Sequence, residues 1–313
     1  MENLGRYEII KELGRGAMGI VYEAKDPLID RLLAIKTIDL HNLAPQEKKD
    51  YEARFYQEAR AAGRLSHPNI VTIHDLGESN GIAYIAMELL EGCELHHLIK
   101  DGQRLPVEQT LNIVAQVATG LAYAHEHGIV HRDIKPSNVM VLKGNQVKIA
   151  DFGIARMESS LQLTQVGLIM GSPLYMSPEQ ILGGTIDPRS DIFSLGILLF
   201  QMLTGQMPFS GDSTNVIMYQ IVNVEPPMPS SINPEIPSML DTIVSKCLSK
   251  NPEDRYPNAH ELANDLRSCR ETLLQIKAGI SAATEQKMRK WKSVSIAAIL
   301  FIIFEIIERL LQH

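Results

Sequence analysis

Cysteine is scarce in this chain: Cys93, Cys247 and Cys269 are odd in number and far apart. Such a set fits free thiols in a reducing compartment better than a disulfide framework or a zinc cage. Positive charge is also short. Thirty Lys and Arg against 37 Asp and Glu leave a formal charge of −7, so there is no basic surface to grip a nucleic-acid backbone, which argues against nucleic acid as a partner. Met1 to Arg6 lack the apolar stretch of a secretory signal, which predicts that the folded part stays in the cytoplasm. No internal repeat or low-complexity stretch interrupts residues 7–270. Against these absences, 45% hydrophobic and 21% charged residues fall in the ordinary globular range. A length of 313 residues is enough for two lobes with separate cores.

The pattern changes character along the chain. Tyr7 to Leu13 reads as a strand entering a glycine-rich turn, Ile20 to Ala24 as the strand leaving it, and Leu32 to Ile38 as a third. Gln46 to Leu65 is rich in helix formers, with Phe55, Glu58, Ala59 and Ala62 on one face. Two more apolar strands are expected at 70–76 and 82–87. From Glu94 onward helices dominate: residues 107–127 form a long periodic segment, and 191–203 are apolar enough to be buried on every side. Strands first and helices after predict an α+β protein.

Gly14-Arg15-Gly16-Ala17-Met18-Gly19 is a weak signal by itself, because dinucleotide-binding folds use the same spacing. Asp39 even lies twenty residues past Gly19, where a ribose-binding acid could sit. The β-branched and aromatic Ile20-Val21-Tyr22 decides the matter, since the turn opens a strand and a dinucleotide site needs a helix N-terminus there. A hairpin covering a triphosphate is the better reading. Lys36, inside the apolar strand, reads either as a snorkelling surface lysine or as a phosphate-holding ammonium oriented by Glu58. Glu58 shares the inward helix face, where an unpaired charge would be costly, so the pairing accounts for both positions.

The strongest signal is His131-Arg132-Asp133-Ile134-Lys135-Pro136-Ser137-Asn138, followed by Asp151-Phe152-Gly153. Asp133 supplies a proton acceptor, Lys135 a cation beside it, and Asn138 and Asp151 an amide and a carboxylate suited to magnesium, with manganese as an alternative. Together these are the parts needed to move the γ-phosphoryl group of ATP to a hydroxyl. His125, His127 and His131 cluster closely, but without matching Cys or acid spacing they read as capping and packing.

With these motifs in this order, residues 7–270 resemble the eukaryotic-like Ser/Thr protein kinase family, in the style of its bacterial members. The resemblance implies a two-lobed protein kinase fold: a small antiparallel sheet lobe with one helix (1–90) and a larger, mainly helical lobe (91–271). It implies ATP lying among Leu13, Gly14, Gly16, Gly19, Val21, Ala34, Lys36, Met87, Glu88 and Leu90, with protein Ser/Thr hydroxyls as acceptors. Lys135 resembles the Ser/Thr-directed members. By the same likeness Phe152 packs on His131, Asp191 braces the loop around Asp133, and Glu179 of Ser177-Pro178-Glu179 pairs with Arg255. Arg132 could pair a phosphate on the segment between Asp151 and Glu179, with Thr164 first, then Ser159 and Ser160, as phosphosites. Ser172 resembles a position that shapes the substrate groove and ranks lower. A pseudokinase scaffold would predict damage at Lys36, Asp133, Asn138 or Asp151, and none is present. A small-molecule kinase would lack the Ser177-Pro178-Glu179 segment and the Asp191 and Arg255 braces.

Residues 272–292 form a basic linker containing Trp291, and 293–313 an apolar helix. Three readings of that helix stay open. Lysine, arginine and tryptophan on the near side suit a single-pass or tail anchor, although the clean apolar run is barely half of the roughly 20 residues a crossing needs. Ile296, Leu300, Ile303, Ile307 and Leu310 make a short coiled-coil seam that would give a homodimer. An amphipathic helix lying on an anionic membrane is the third.

Overall fold

The computed structural model describes residues 3–16, 19–38, 56–57, 59–152 and 173–279. Compact packing divides the chain into Met1–Arg267 and Ser268–His313. In the second unit the described residues, 268–279, are helical. Among the described residues no helix is long and apolar enough to cross a membrane; residues 293–313 lie outside them.

The first unit is a two-lobed α+β fold. Its small lobe is a six-stranded antiparallel sheet of β1 (Asn3–Leu4), β2 (Tyr7–Gly16), β3 (Gly19–Asp26), β4 (Arg31–Ile38), β5 (Ile73–Ser79) and β6 (Ile82–Met87), in the order β1-β2-β3-β4-β6-β5. Helix α1, described at 56–57 and 59–62, packs Ala59 against Ile38, Ala83 and Ile85. The opposite face of the sheet buries Leu4, Tyr7, Ala24, Leu33, Ile35, Tyr84 and Ala86. Period-two alternation thus serves two small cores, one on each face of the sheet.

Two features depart from the sequence expectation. Strand β1 is two residues long, too short for an alternation pattern, yet Leu4 is fully buried. Strand β5 starts at Ile73, not at residue 70. The apolar residues before it pair instead with a distant strand: Val71 N–H donates to Ile149 O at 2.9 Å, and Ile149 N–H to Asn69 O at 2.9 Å.

The turn between β2 and β3 depends on one glycine. Gly19 has φ +155°, and a Cβ there would lie 1.8 Å from the Thr37 carbonyl oxygen. That contact is impossible for any side chain, so the backbone of β3 can approach β4 closely only through glycine.

The larger lobe follows with β7 (Gly92–Glu94), α2 (Leu95–Leu98), α3 (Val107–Glu126), β8 (Val139–Leu142) and β9 (Val147–Ile149). Beyond residue 172 come α4 (Pro178–Leu182), α5 (Pro188–Thr204), α6 (Thr214–Asn223), α7 (Pro229–Ile232) and α8 (Met239–Cys247), with a further helix starting at residue 259. Strands β7, β8 and β9 form a second, three-stranded sheet. Helix α5 is central. Asp187 caps its first turn by accepting from Arg189 N–H, Pro188 takes the first helical position, and Gly205 closes it at φ +74°. Fourteen of its 17 residues are buried, so it is packed all round, and each large apolar side chain contributes about 1.5–3 kcal/mol.

Beside α5 lies a fully buried guanidinium. Arg255 uses all five N–H groups: Nη1 and Nη2 donate to Glu179 Oε1 and Oε2 at 2.8 and 2.9 Å, and also to Arg189 O and Lys250 O at 3.0 Å each. Nε donates to Ser249 O at 2.8 Å. Ser190 Oγ–H adds a 2.6 Å bond to Glu179 Oε1. Burial alone would raise the Glu179 pKa, but the bonds from Arg255 and Ser190 outweigh it and hold the carboxyl below its usual range.

Two outcomes follow from this network. Arg255→Ala should lower unfolding free energy by about 3–5 kcal/mol in urea titrations, because it leaves a largely buried carboxylate without its cation. The Glu179 pKa is lowered on folding, so its stabilisation is complete above the ordinary value of 4.5 and fades as pH falls below it. Comparing Glu179→Gln with the parent across that range should show a shallower acid-side loss in the variant.

Candidate active site

The loop between α3 and β8 carries the first group of expected site residues. Its course is set by Asp191 in the first turn of α5, whose side chain is fully buried. Asp191 Oδ1 accepts Arg132 N–H at 2.7 Å, and Oδ2 accepts His131 N–H at 2.8 Å and His125 Nε2–H at 2.8 Å. Burial pushes its pKa up, but the His125 bond and the surrounding positive groups more than offset this, so it lies below the ordinary carboxylate value. Arg132 takes φ +69°, a left-handed conformation unusual for its residue type.

That turn sends Ile134 into the core, fully buried, and leaves Asp133 partly open. Asp133 Oδ2 accepts from Lys135 Nζ at 2.7 Å and from Asn138 Nδ2 at 2.9 Å. Asn138 Nδ2 also donates to the Asp133 backbone carbonyl at 2.8 Å. Both amide protons of Asn138 are therefore used, and its Oδ1 accepts no hydrogen bond among the described residues. Asp133 Oδ1 is similarly without a donor among them.

Asp151 follows β9 and also has a left-handed backbone, φ +60°. Its Oδ2 accepts from Lys36 Nζ of β4 at 2.7 Å, so this ion pair joins the small lobe to the large one. Burial would raise the Asp151 pKa; the neighbouring Lys36, with lesser help from His131 and Lys135, reverses the sign and keeps it ionised at neutral pH. Glu58, the expected partner of Lys36, lies outside the described residues. Phe152 is buried, with its ring edge-on to His131 at 4.6 Å between centroids. His131 Nδ1 accepts Asp133 N–H at 3.2 Å, and Nε2 donates to Ala150 O at 2.8 Å, so the ring links the two loops.

The donor set fits a magnesium ion. Asp151 offers an ionised carboxylate and Asn138 a carbonyl oxygen left open by its own hydrogen bonds, the hard oxygen ligands this ion prefers.

Around the expected nucleotide position, Ala34 of β4 pairs with Met87 of β6, and Val21 of β3 pairs with Lys36. Leu13, Gly14 and Gly16 lie along β2, whose Gly16 pairs with Gly19 across the turn. Not every connector group is free. Met87 is held in the sheet, and Glu88 N–H donates to Thr72 O at 3.0 Å. That leaves the Glu88 carbonyl and both backbone groups of Leu90 for a ligand, among the described residues.

Ser159, Ser160, Thr164 and Ser172 lie outside the described residues. The chain is described again at Pro173, where Ser194 Oγ–H holds Tyr175 O at 2.7 Å. Two polar contacts here escaped the sequence reading. Gln180 Nε2 donates to Arg132 O at 2.8 Å, while its Oε1 and backbone N–H complete a capping box with Ser177; the Ser-x-x-Gln spacing is its sequence signature. Glu88 contributes more than backbone, since its side chain pairs with Lys148 at 2.7 Å.

Known proteins place this arrangement. A family model described as the protein kinase domain matches residues 7–266. A probable serine/threonine-protein kinase of Streptomyces coelicolor is 44% identical over 271 residues, covering 85% of this chain and 40% of its own. Serine/threonine-protein kinase PrkC of Bacillus subtilis is 40% identical, covering 84% and 40%. Serine/threonine-protein kinase PknB of Mycolicibacterium smegmatis is 40% identical, covering 83% and 42%. The chain spans about two-fifths of the length of these relatives. With the domain matched over most of its length, the chain belongs to the protein kinase family.

Proposed function

We propose that this chain is a serine/threonine protein kinase that transfers the γ-phosphoryl group of ATP to protein hydroxyls. The observation that carries the proposal is the divided carboxylate of Asp133. One oxygen is held by Lys135 and Asn138, and the other, without a donor among the described residues, is placed to accept a substrate hydroxyl proton.

In this reading Asp133 orients the hydroxyl and receives its proton as the oxygen attacks the γ-phosphorus. The bond to the β-phosphate oxygen breaks, and ADP leaves. Lys135 lies within reach of both carboxylate and γ-phosphate and offsets charge building there. Lys36 holds the α- and β-phosphates, and its bond to Asp151 ties that grip to the metal ligand. Asn138 and Asp151 hold magnesium, which when bound neutralises triphosphate oxygens. The glycine turn from Gly14 to Gly19 covers the phosphates, and the Glu88 carbonyl with Leu90 meets the adenine edge.

Autophosphorylation between residues 159 and 172 is part of the proposal. Arg132 Nε is buried with no partner among the described residues, and a guanidinium so placed can pair a phosphoryl group carrying about −1.5 to −2 charges. Thr164 is the first choice. We further place the kinase lobes on the cytoplasmic side, with the apolar run at 293–313 as their attachment to the membrane.

Incubation with labelled ATP and magnesium should label Ser or Thr in this chain and in a protein acceptor. Asp133→Asn should lower kcat by roughly a hundred- to ten-thousandfold while nucleotide still binds; a variant of parental activity would remove Asp133 from the mechanism. Thr164→Ala should slow turnover and remove the main phosphopeptide of the segment. Unchanged turnover, with no phosphate between residues 159 and 172, would overturn the regulatory part.

A further inference from the structure

Lys148 sits in the middle of β9, between Val147 and Ile149, whose side chains are fully buried on the α3 side. Alternation sends Lys148 the other way, toward the lobe connector, where its side chain is only 11% exposed. Its ammonium donates to Glu88 Oε1 at 2.7 Å and to Ile70 O at 3.1 Å. The same Glu88 oxygen accepts Thr72 N–H at 2.7 Å, and Glu88 N–H returns to Thr72 O. One buried cation therefore gathers the connector, the segment entering β5, and the strand that leads three residues later to Asp151.

The surroundings make this a fixed anchor. Asn69 Nδ2 donates to Val147 O at 2.8 Å and to Gln116 Oε1 at 3.1 Å. With the paired backbone bonds between Asn69, Val71 and Ile149, the segment before β5 is stitched to the floor of the large lobe. Among the described residues Glu88 is the only acidic side chain that Lys148 meets, and at 25% exposure it is the more solvated of the two.

We propose that Lys148 is a positioning residue for the nucleotide: by clamping Glu88 it holds the connector so that the Glu88 carbonyl and the Leu90 backbone present a fixed edge to adenine. The proposal rests on the reading that ATP occupies this cleft. A connector ordered before binding loses little freedom when the ligand arrives, so the clamp contributes to affinity without touching the ligand. It acts on nucleotide binding and leaves the transfer step, which is carried by Asp133 and Lys135, largely alone.

The test uses the full chain and three variants, with KM for ATP, kcat, ADP affinity by calorimetry and Tm measured on each. Lys148→Met should raise KM for ATP and weaken ADP binding by about tenfold, the loss expected for a charged hydrogen-bond pair. Its kcat should stay within about threefold of the parent, since transition-state contacts are untouched. It should also lower Tm, because Glu88 is left unpaired. The double variant Lys148→Met with Glu88→Gln removes the stranded charge and keeps an acceptor for Thr72 N–H, so Tm should recover while KM stays high. A KM that returns with Tm would make the lysine merely structural and overturn the proposal, as would a Lys148→Met of parental KM. Ala34→Trp, which fills the cleft, tests the underlying reading separately. If Ala34→Trp binds ADP like the parent, the nucleotide lies elsewhere and the failure belongs to that reading.

Discussion

Asp191 is a carboxylate with no access to water, a situation that costs several kcal/mol unless donors surround it. Three donors do, and two are consecutive backbone amides, those of His131 and Arg132. Reaching both amides requires the chain to reverse sharply, and Arg132 adopts a left-handed conformation that costs about 1–3 kcal/mol. That reversal is what drives Ile134 into the core and leaves Asp133 facing outward. The loop is thus positioned from beneath by α5, and α5 in turn is fixed because nearly every one of its side chains is packed. Site geometry and core packing are the same problem at this point.

The lobes are joined differently. Among the described residues, the charged contacts there include Lys36 with Asp151 and Glu88 with Lys148. Both pairs converge on the short stretch from Lys148 to Asp151, so the strand β9 receives the orientation of the connector and of β4 together.

Much of this was legible in the chain because the informative signals are local. The strand at 82–87 has the observed ends, Ile82–Met87, and the glycine turn opens into a strand as its β-branched residues require. Ser177 and Gln180 carry a capping signature in four residues. What was not legible depends on distant partners. Ile70 to Thr72 look like the start of a strand, and only the presence of Asn69 and Ile149 side by side diverts them. Lys148, alternating with two apolar neighbours, has the pattern of an exposed strand lysine; Glu88, sixty residues earlier, is what makes it a buried one. Strand β1 had too little length to show a period at all.

Arg255 raises the question of why an ion pair stands where apolar side chains would often be as stable. The answer lies in its five bonds. A methionine of similar volume could fill the space, but the carbonyls of Arg189, Ser249 and Lys250 would lose their donor together with the Glu179 carboxylate. Arg255 therefore fixes three chain segments relative to one another, which packing alone would leave free to slide. The segment bearing Glu179 continues directly to Gln180, whose amide grips the Arg132 carbonyl. Arg132 is also the residue that Asp191 holds from the other side. The loop carrying Asp133 is accordingly clamped between two carboxylates, the buried Asp191 acting on its amides and the partly buried Glu179, through a single intervening residue, on its carbonyl.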